Sequence, residues 1–130
     1  MEPVQYGVGR DVGESFDVVL PRVREALKSE GFGVLAEIDV QAAMREKLGV
    51  ERGKYVILGA CNPPLAHKAL SAEPDLGVLL PCNLAVYENG ATTRVAAVNA
   101  GVMLGVVGNP ALDEIAGEVQ ARLTRVLESL

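Results

Sequence analysis

The strongest constraint in this chain lies between Leu79 and Val98, where two runs of alternating character, LLPCNLAVYE and TTRVAAV, flank the dipeptide Asn89-Gly90. Asn-Gly accepts the positive φ angles of a tight hairpin turn, whose twist matches that of the strands it joins. Thr92 to Val98 is therefore expected to pair antiparallel with the run before it. Side chains alternate along a strand, so Cys82, Leu84 and Val86 share one face, and Asn83, Ala85 and Tyr87 the other. A chain committed to this hairpin builds a largely antiparallel sheet.

The remaining segments alternate between the two periodicities. A short extended segment around Val4 to Val8 precedes a stretch in which Phe16, Leu20, Val23 and Leu27 recur at helical spacing, ending at Gly31. Ser15 suits its N-cap, but Pro21 then falls beyond the first turn, so the helix either starts nearer Asp17 or bends. Phe32 to Ile38 reads as a strand, followed by a short helix capped by Asp39 and closed after Leu48 by Gly49. Lys54 to Ala60 is a second buried strand, and Asn62-Pro63 supplies the cap and first residue of a helix reaching about Ala72. The stretch GVMLGVVGNP reads as an apolar loop that partly continues the preceding strand. From Asn109-Pro110 a long final helix carries the stripe Leu112, Ile115, Val119, Leu123, Val126 and Leu130.

This order predicts an α+β fold: a two-layer sandwich with a mostly antiparallel sheet of about five strands and the first and last helices on one face. No repeat, low-complexity tract or linker divides the chain, so residues 1–130 read as a single domain. A doubly wound nucleotide-binding sheet is the competitor. GVGRDVG does not match the GxGxxG fingerprint and lacks the Lys-Ser/Thr of a phosphate loop.

Composition narrows the partners. Twelve basic against seventeen acidic residues give a net charge of -5, a field that repels phosphate backbones and anionic membrane surfaces. Nucleic acid and membrane are not expected partners. The N-terminus MEPVQYGVGRDVGESF has neither the basic start nor the apolar run of a signal peptide, and no stretch approaches the roughly 18 apolar residues of a membrane span. A soluble cytoplasmic protein is expected, as a homodimer, the commonest symmetric assembly. In that compartment the two cysteines, Cys61 and Cys82, stay reduced. They are not in CxxC spacing, so neither a zinc ribbon nor a thioredoxin-type motif is present.

Chemistry concentrates in GACNPPLAHKAL, Gly59 to Leu70. Cys61 precedes a predicted helix N-terminus, where unpaired amides and the helix dipole stabilise a thiolate; equally, cysteine serves as a small buried hydrophobe. His67, the single histidine, lies six residues on, which does not stack it over Cys61. If the strand ending at Cys61 and the one beginning near Leu80 are antiparallel neighbours, Cys82 comes to the same sheet edge. Two thiols and His67 could hold a metal, but no fourth ligand is evident, and neither metal nor cofactor is assigned. Glu37 and Asp39 alternate to one side of their strand and could act together in acid/base or cation chemistry; Asp39 as cap and Glu37 as an exposed strand residue is the simpler account. One histidine and no GxSxG leave a hydrolase triad unsupported.

The segments GFGVLAEIDV, ILGACNPPLAHKAL and LLPCNLAVYE, in this order and spacing, resemble domain-of-unknown-function family 302 over nearly the whole chain. The resemblance implies a two-layer α/β fold similar to the TATA-binding-protein class: a strand, a helix, four antiparallel strands and a closing helix, here with short inserted helices. It places recurrent positions at Glu37, Asp39, Cys61, Asn62, Pro63, Ala66, Pro81, Cys82 and Asn83, and brings no reaction or ligand. Whether the protein is an enzyme stays open. The leading expectation is a small-molecule or thiol-linked redox or sulfur site, with Cys61 reactive, Cys82 its partner and Asn62 and Asn83 hydrogen-bonding groups. Glu37, Asp39 and His67 are further ligand-binding candidates. The alternative is a non-enzymatic binding or interaction module whose cysteines are purely structural.

Overall fold

The computed structural model describes residues 2–130. Helices and strands follow in the order β1 (Glu2–Val4), β2 (Gly7–Val12), α1 (Phe16–Ser29), β3 (Gly33–Asp39), α2 (Val40–Leu48), β4 (Tyr55–Cys61), α3 (Pro63–Ala72), β5 (Cys82–Asn89), β6 (Thr92–Val98), α4 (Ala100–Gly105) and α5 (Asp113–Glu128). Short 3-10 helices, Pro74–Leu79 and Pro110–Leu112, precede β5 and α5. All strand pairs are antiparallel, in the order β1-β2-β6-β5-β4-β3. The sheet thus holds the expected strands plus a three-residue edge strand. The extended segment read at Val4 to Val8 instead spans the turn between β1 and β2.

Local signals account for most boundaries. The hairpin forms where Asn89-Gly90 placed it: Asn89 pairs with Thr92, and Gly90 takes φ 61°. Asp39 caps α2, its carboxylate accepting from the Ala42 amide at 2.9 Å, and Gly49 closes that helix at φ 65°. Ser15 occupies the N-cap of α1 without a side-chain bond, and the helix starts at Phe16 and runs through Pro21. One expectation fails. GVMLGVVGNP does not extend β6; Asn99 accepts from the Val102 amide at 3.1 Å and starts α4. Burial of Ala100 and Leu104 overrides the weak helix propensity of the neighbouring glycines and valines.

Helices α1 and α5 pack on each other and on one face of the sheet, giving the two-layer sandwich. The main core lies between the layers: Val56, Leu58, Ala60, Cys82, Leu84, Val86 and Val95 from the sheet meet Val19, Val23, Leu27, Leu123, Val126 and Leu127 from the helices. A second, smaller core joins Ala69, Leu76, Leu104, Leu112 and Ala116 beyond the end of the sheet. Ile115 and Met103 touch both. The seam between the two cores positions the site described next. On the other sheet face Tyr55 and Tyr87, directly paired across β4 and β5, stack with ring centroids 4.9 Å apart. No helix among the described residues is long and apolar enough to cross a membrane.

Candidate functional site

The seam holds a cavity of ≈ 370 Å³. Its walls come from Phe32 and Leu35 beside and on β3, Ala60 and Cys61 at the end of β4, and Leu65, Ala66, Ala69 and Leu70 of α3. Pro81 and Cys82 at the start of β5, Leu104 of α4 and Ile115 and Val119 of α5 complete its lining, which stays partly open to solvent. No lining residue is charged. Only Asn62 and the two thiols are polar, which makes the space a site for apolar matter with one strong hydrogen-bonding group at its wall.

Asn62 sits where β4 turns into α3. Its Oδ1 accepts from the Leu65 amide at 3.2 Å, and its backbone carbonyl accepts from the Ala66 amide at 2.8 Å. Pro63 and Pro64, the first two helical residues, have no amide hydrogen. The first turn of α3 therefore offers no free amide to a thiolate on Cys61. Only the dipole of a 10-residue helix remains.

The cysteines are brought to the same end of the sheet, as antiparallel pairing required. Cys82 lies directly opposite Ala60 in the β4–β5 register. That offset of one residue has a consequence for direction: Cys82 points with Ala60 into the helix layer, whereas Cys61 alternates to the side of Gly59 and Ile57. Both line the cavity, and both are free thiols. Cys82 is 7% exposed. Burial, and secondarily the neighbouring Cys61, push its thiol up to about 11, so at neutral pH it is protonated and a poor nucleophile. Cys61 is half-buried.

The other sequence candidates lie elsewhere. Asn83 is exposed and paired with Gly59, on the sheet face opposite the one that Ala60 and Cys82 turn to the core. Glu37 Oε1 accepts two hydrogen bonds from the Arg24 guanidinium, at 2.9 and 2.6 Å, and Asp39 is used as the α2 cap. His67 is exposed on α3, where its backbone carbonyl accepts from Ser71 Oγ at 2.8 Å. None of these four lines the cavity. Among the described residues no three His, Cys, Asp or Glu side chains are grouped to hold a metal.

Sequence reasoning did not single out the apolar lining as a site. Ile115 and Val119 were legible as part of the α5 stripe, but only as core. Gly59 and Pro81 show the shaping of the wall. A Cβ on Gly59 would stand 2.7 Å from Pro81 Cγ and 3.3 Å from the Ala36 Cβ, so the bare glycine lets the proline ring lie flat against β4.

Comparison with known proteins places this architecture. The chain is similar to a solved structure described as the crystal structure of uncharacterized conserved protein DUF302 from Bacillus stearothermophilus, with 34% identity and a TM-score of 0.88. The match covers 96% of this chain and 98% of that one. No curated protein matches the chain. The family model described as "Domain of unknown function DUF302" matches residues 8–130. With both the sequence model and the fold matched over nearly the full length, the chain belongs to the DUF302 family.

Proposed function

We propose that the protein binds a small, mostly apolar molecule in the cavity between its two cores. The observation that carries this reading is the ≈ 370 Å³ of uncharged, chiefly apolar space at the sheet end, within the roughly 300–1,000 Å³ of small-molecule sites. Its walls are apolar yet partly open to solvent, with Leu35 72% and Leu70 38% exposed, and an apolar molecule seated there removes that surface from water. Five of the positions marked by the family resemblance, Cys61, Asn62, Ala66, Pro81 and Cys82, lie on this wall. In this reading Cys61 is the thiol that meets the bound molecule, and Cys82 is a protonated wall residue. The free state of both thiols accords with a reducing, cytoplasmic setting.

The test uses a small environment-sensitive fluorophore, 1-aminonaphthalene. Saturable enhancement is expected with the wild type and its loss with A66F, which places an aromatic ring in the cavity from a half-exposed helix position. Absence of saturable binding, or equal binding by folded A66F, removes the proposal.

One observation favours interaction as a second reading. All seven residues of the outer strand β3 are exposed, with Leu35 72% and Ile38 51% accessible. Glu37, Asp39 and the register shift between Val34 and Ala36 protect part of this edge, and Leu35 and Ile38 are the apolar side chains left open on it. Pairing of β3 with the same strand of a second copy would make the expected homodimer. Light scattering should then give a dimer for the wild type and a monomer for I38K; a monomeric wild type at high micromolar concentration ends this reading.

A further inference from the structure

We infer that the molecule held in the cavity is uncharged and amphipathic, with a hydroxyl or carbonyl oxygen placed against the side-chain amide of Asn62. This rests on the reading of the cavity as a ligand site. Asn62 is 9% exposed, and its Oδ1 is committed to the Leu65 amide. Its Nδ2 makes no hydrogen bond to any described residue, yet no buried side-chain nitrogen or oxygen among those residues is sealed off without a partner. The amide group therefore keeps access to the space around it. These two N–H donors, on a residue nine-tenths buried but with its amide nitrogen still accessible, are open to an acceptor oxygen brought by a ligand.

Position fixes which end of the ligand meets that donor. Asn62, Leu65 and Ile115 form a partition, lining both the apolar cavity and an adjacent cleft that contains Lys68, Glu114, Glu118 and Arg122. The apolar body lies on the cavity side and the oxygen at the partition. A charged group does not suit the cavity side. The cavity has no counter-charge, and burying an unpaired ion is costly. In the cleft two acids balance two bases, and Arg122 is already held by Glu118 and the Glu30 carbonyl, both at 2.8 Å. The thiols are weak hydrogen-bond partners, leaving Asn62 as the strong donor. At ~30 Å³ per liquid-packed atom, the volume suits about a dozen non-hydrogen atoms.

Three ligands of matched shape separate the possibilities by displacement of 1-aminonaphthalene: butylbenzene, 4-phenyl-2-butanone and 3-phenylpropanoate. The ketone is expected to bind about tenfold more tightly than the carboxylate at neutral pH. N62D and N62S both keep an N-cap oxygen for Leu65 but lack the carboxamide NH2. In each, the ketone-to-hydrocarbon affinity ratio should fall several-fold relative to the wild type. If all three ligands bind and that ratio is unchanged in either folded variant, the inference is overturned and the cavity reading stands. A carboxylate that binds more tightly than the ketone overturns it likewise. If wild type binds none of the three and does not take up the fluorophore, the cavity reading itself fails.

Discussion

Replacing Gly59 by alanine tests whether the proline that walls the cavity depends on a missing side chain. Carbon atoms in contact normally sit ~3.5–4.0 Å apart, so a Cβ 2.7 Å from Pro81 Cγ is too close and must displace something. The ring cannot rotate away. On the other side the new methyl meets the Ala36 Cβ at 3.3 Å, where the β3–β4 register already shifts between Val34 and Ala36. Overpacking of this kind costs about 1–3 kcal/mol, offset by the ~0.4–1 kcal/mol that Gly→Ala contributes by restricting the unfolded chain. The expected net loss is about 1–2 kcal/mol, a fall in Tm of roughly 3–10 °C for a chain of this size. Gly117, exposed within α5 with no atom within 4 Å of where a Cβ would stand, is the control. G117A should stabilise by about 0.5–1 kcal/mol. Urea and thermal unfolding followed by circular dichroism read both. A G59A protein as stable as wild type, with G117A behaving as expected, would refute the argument that Gly59 exists to seat Pro81.

Three further outcomes follow from the same geometry. The Cys82 thiol, raised from 9.0 to about 11 in the folded protein, keeps its proton where the unfolded chain loses it. Its contribution is therefore intact below the unfolded value and lost as pH rises through the folded one. Wild type should lose up to about 2–3 kcal/mol more than C82A between these limits, measured by urea unfolding at a series of pH values. Iodoacetamide on the native protein near pH 8 should label Cys61 well ahead of Cys82, as read by peptide mass spectrometry; equal labelling would contradict the burial of Cys82. G31A should lose about 1–2 kcal/mol in chemical denaturation, since Gly31 has φ 83° and a Cβ there would stand 3.1 Å from Asn62 Nδ2.

The family resemblance and the fold class could both be read from the chain, and particular residues show why. Asn89-Gly90, Asp39, Gly49 and the Asn62-Pro63 pair act on their immediate neighbours, so a few letters suffice to place a turn, two caps and a helix start. The α5 stripe is legible for the same reason, because one helix repeats its own periodicity. Asn99 carried the same capping signal for α4, yet Gly101, Gly105 and the nearby valines obscured it; the burial of Ala100 and Leu104 that decides the matter is supplied by α5 and the second core.

The site divides along the same line. That Cys61 and Cys82 come to one end of the sheet was already written in the order of residues, since antiparallel neighbours must bring the end of one strand beside the start of the next. The unpaired amides expected beside Cys61 are not there, because Pro63 and Pro64 have no amide hydrogen and Asn62 takes the next two. The opposite directions of the two thiols required the folded chain, because they rest on a one-residue register between β4 and β5. The cavity required it too. Leu35, Ala66, Leu104 and Val119 lie far apart along the chain, and the space they line sits at the seam between the two cores. A void belongs to no residue, so no pattern of residues announces it.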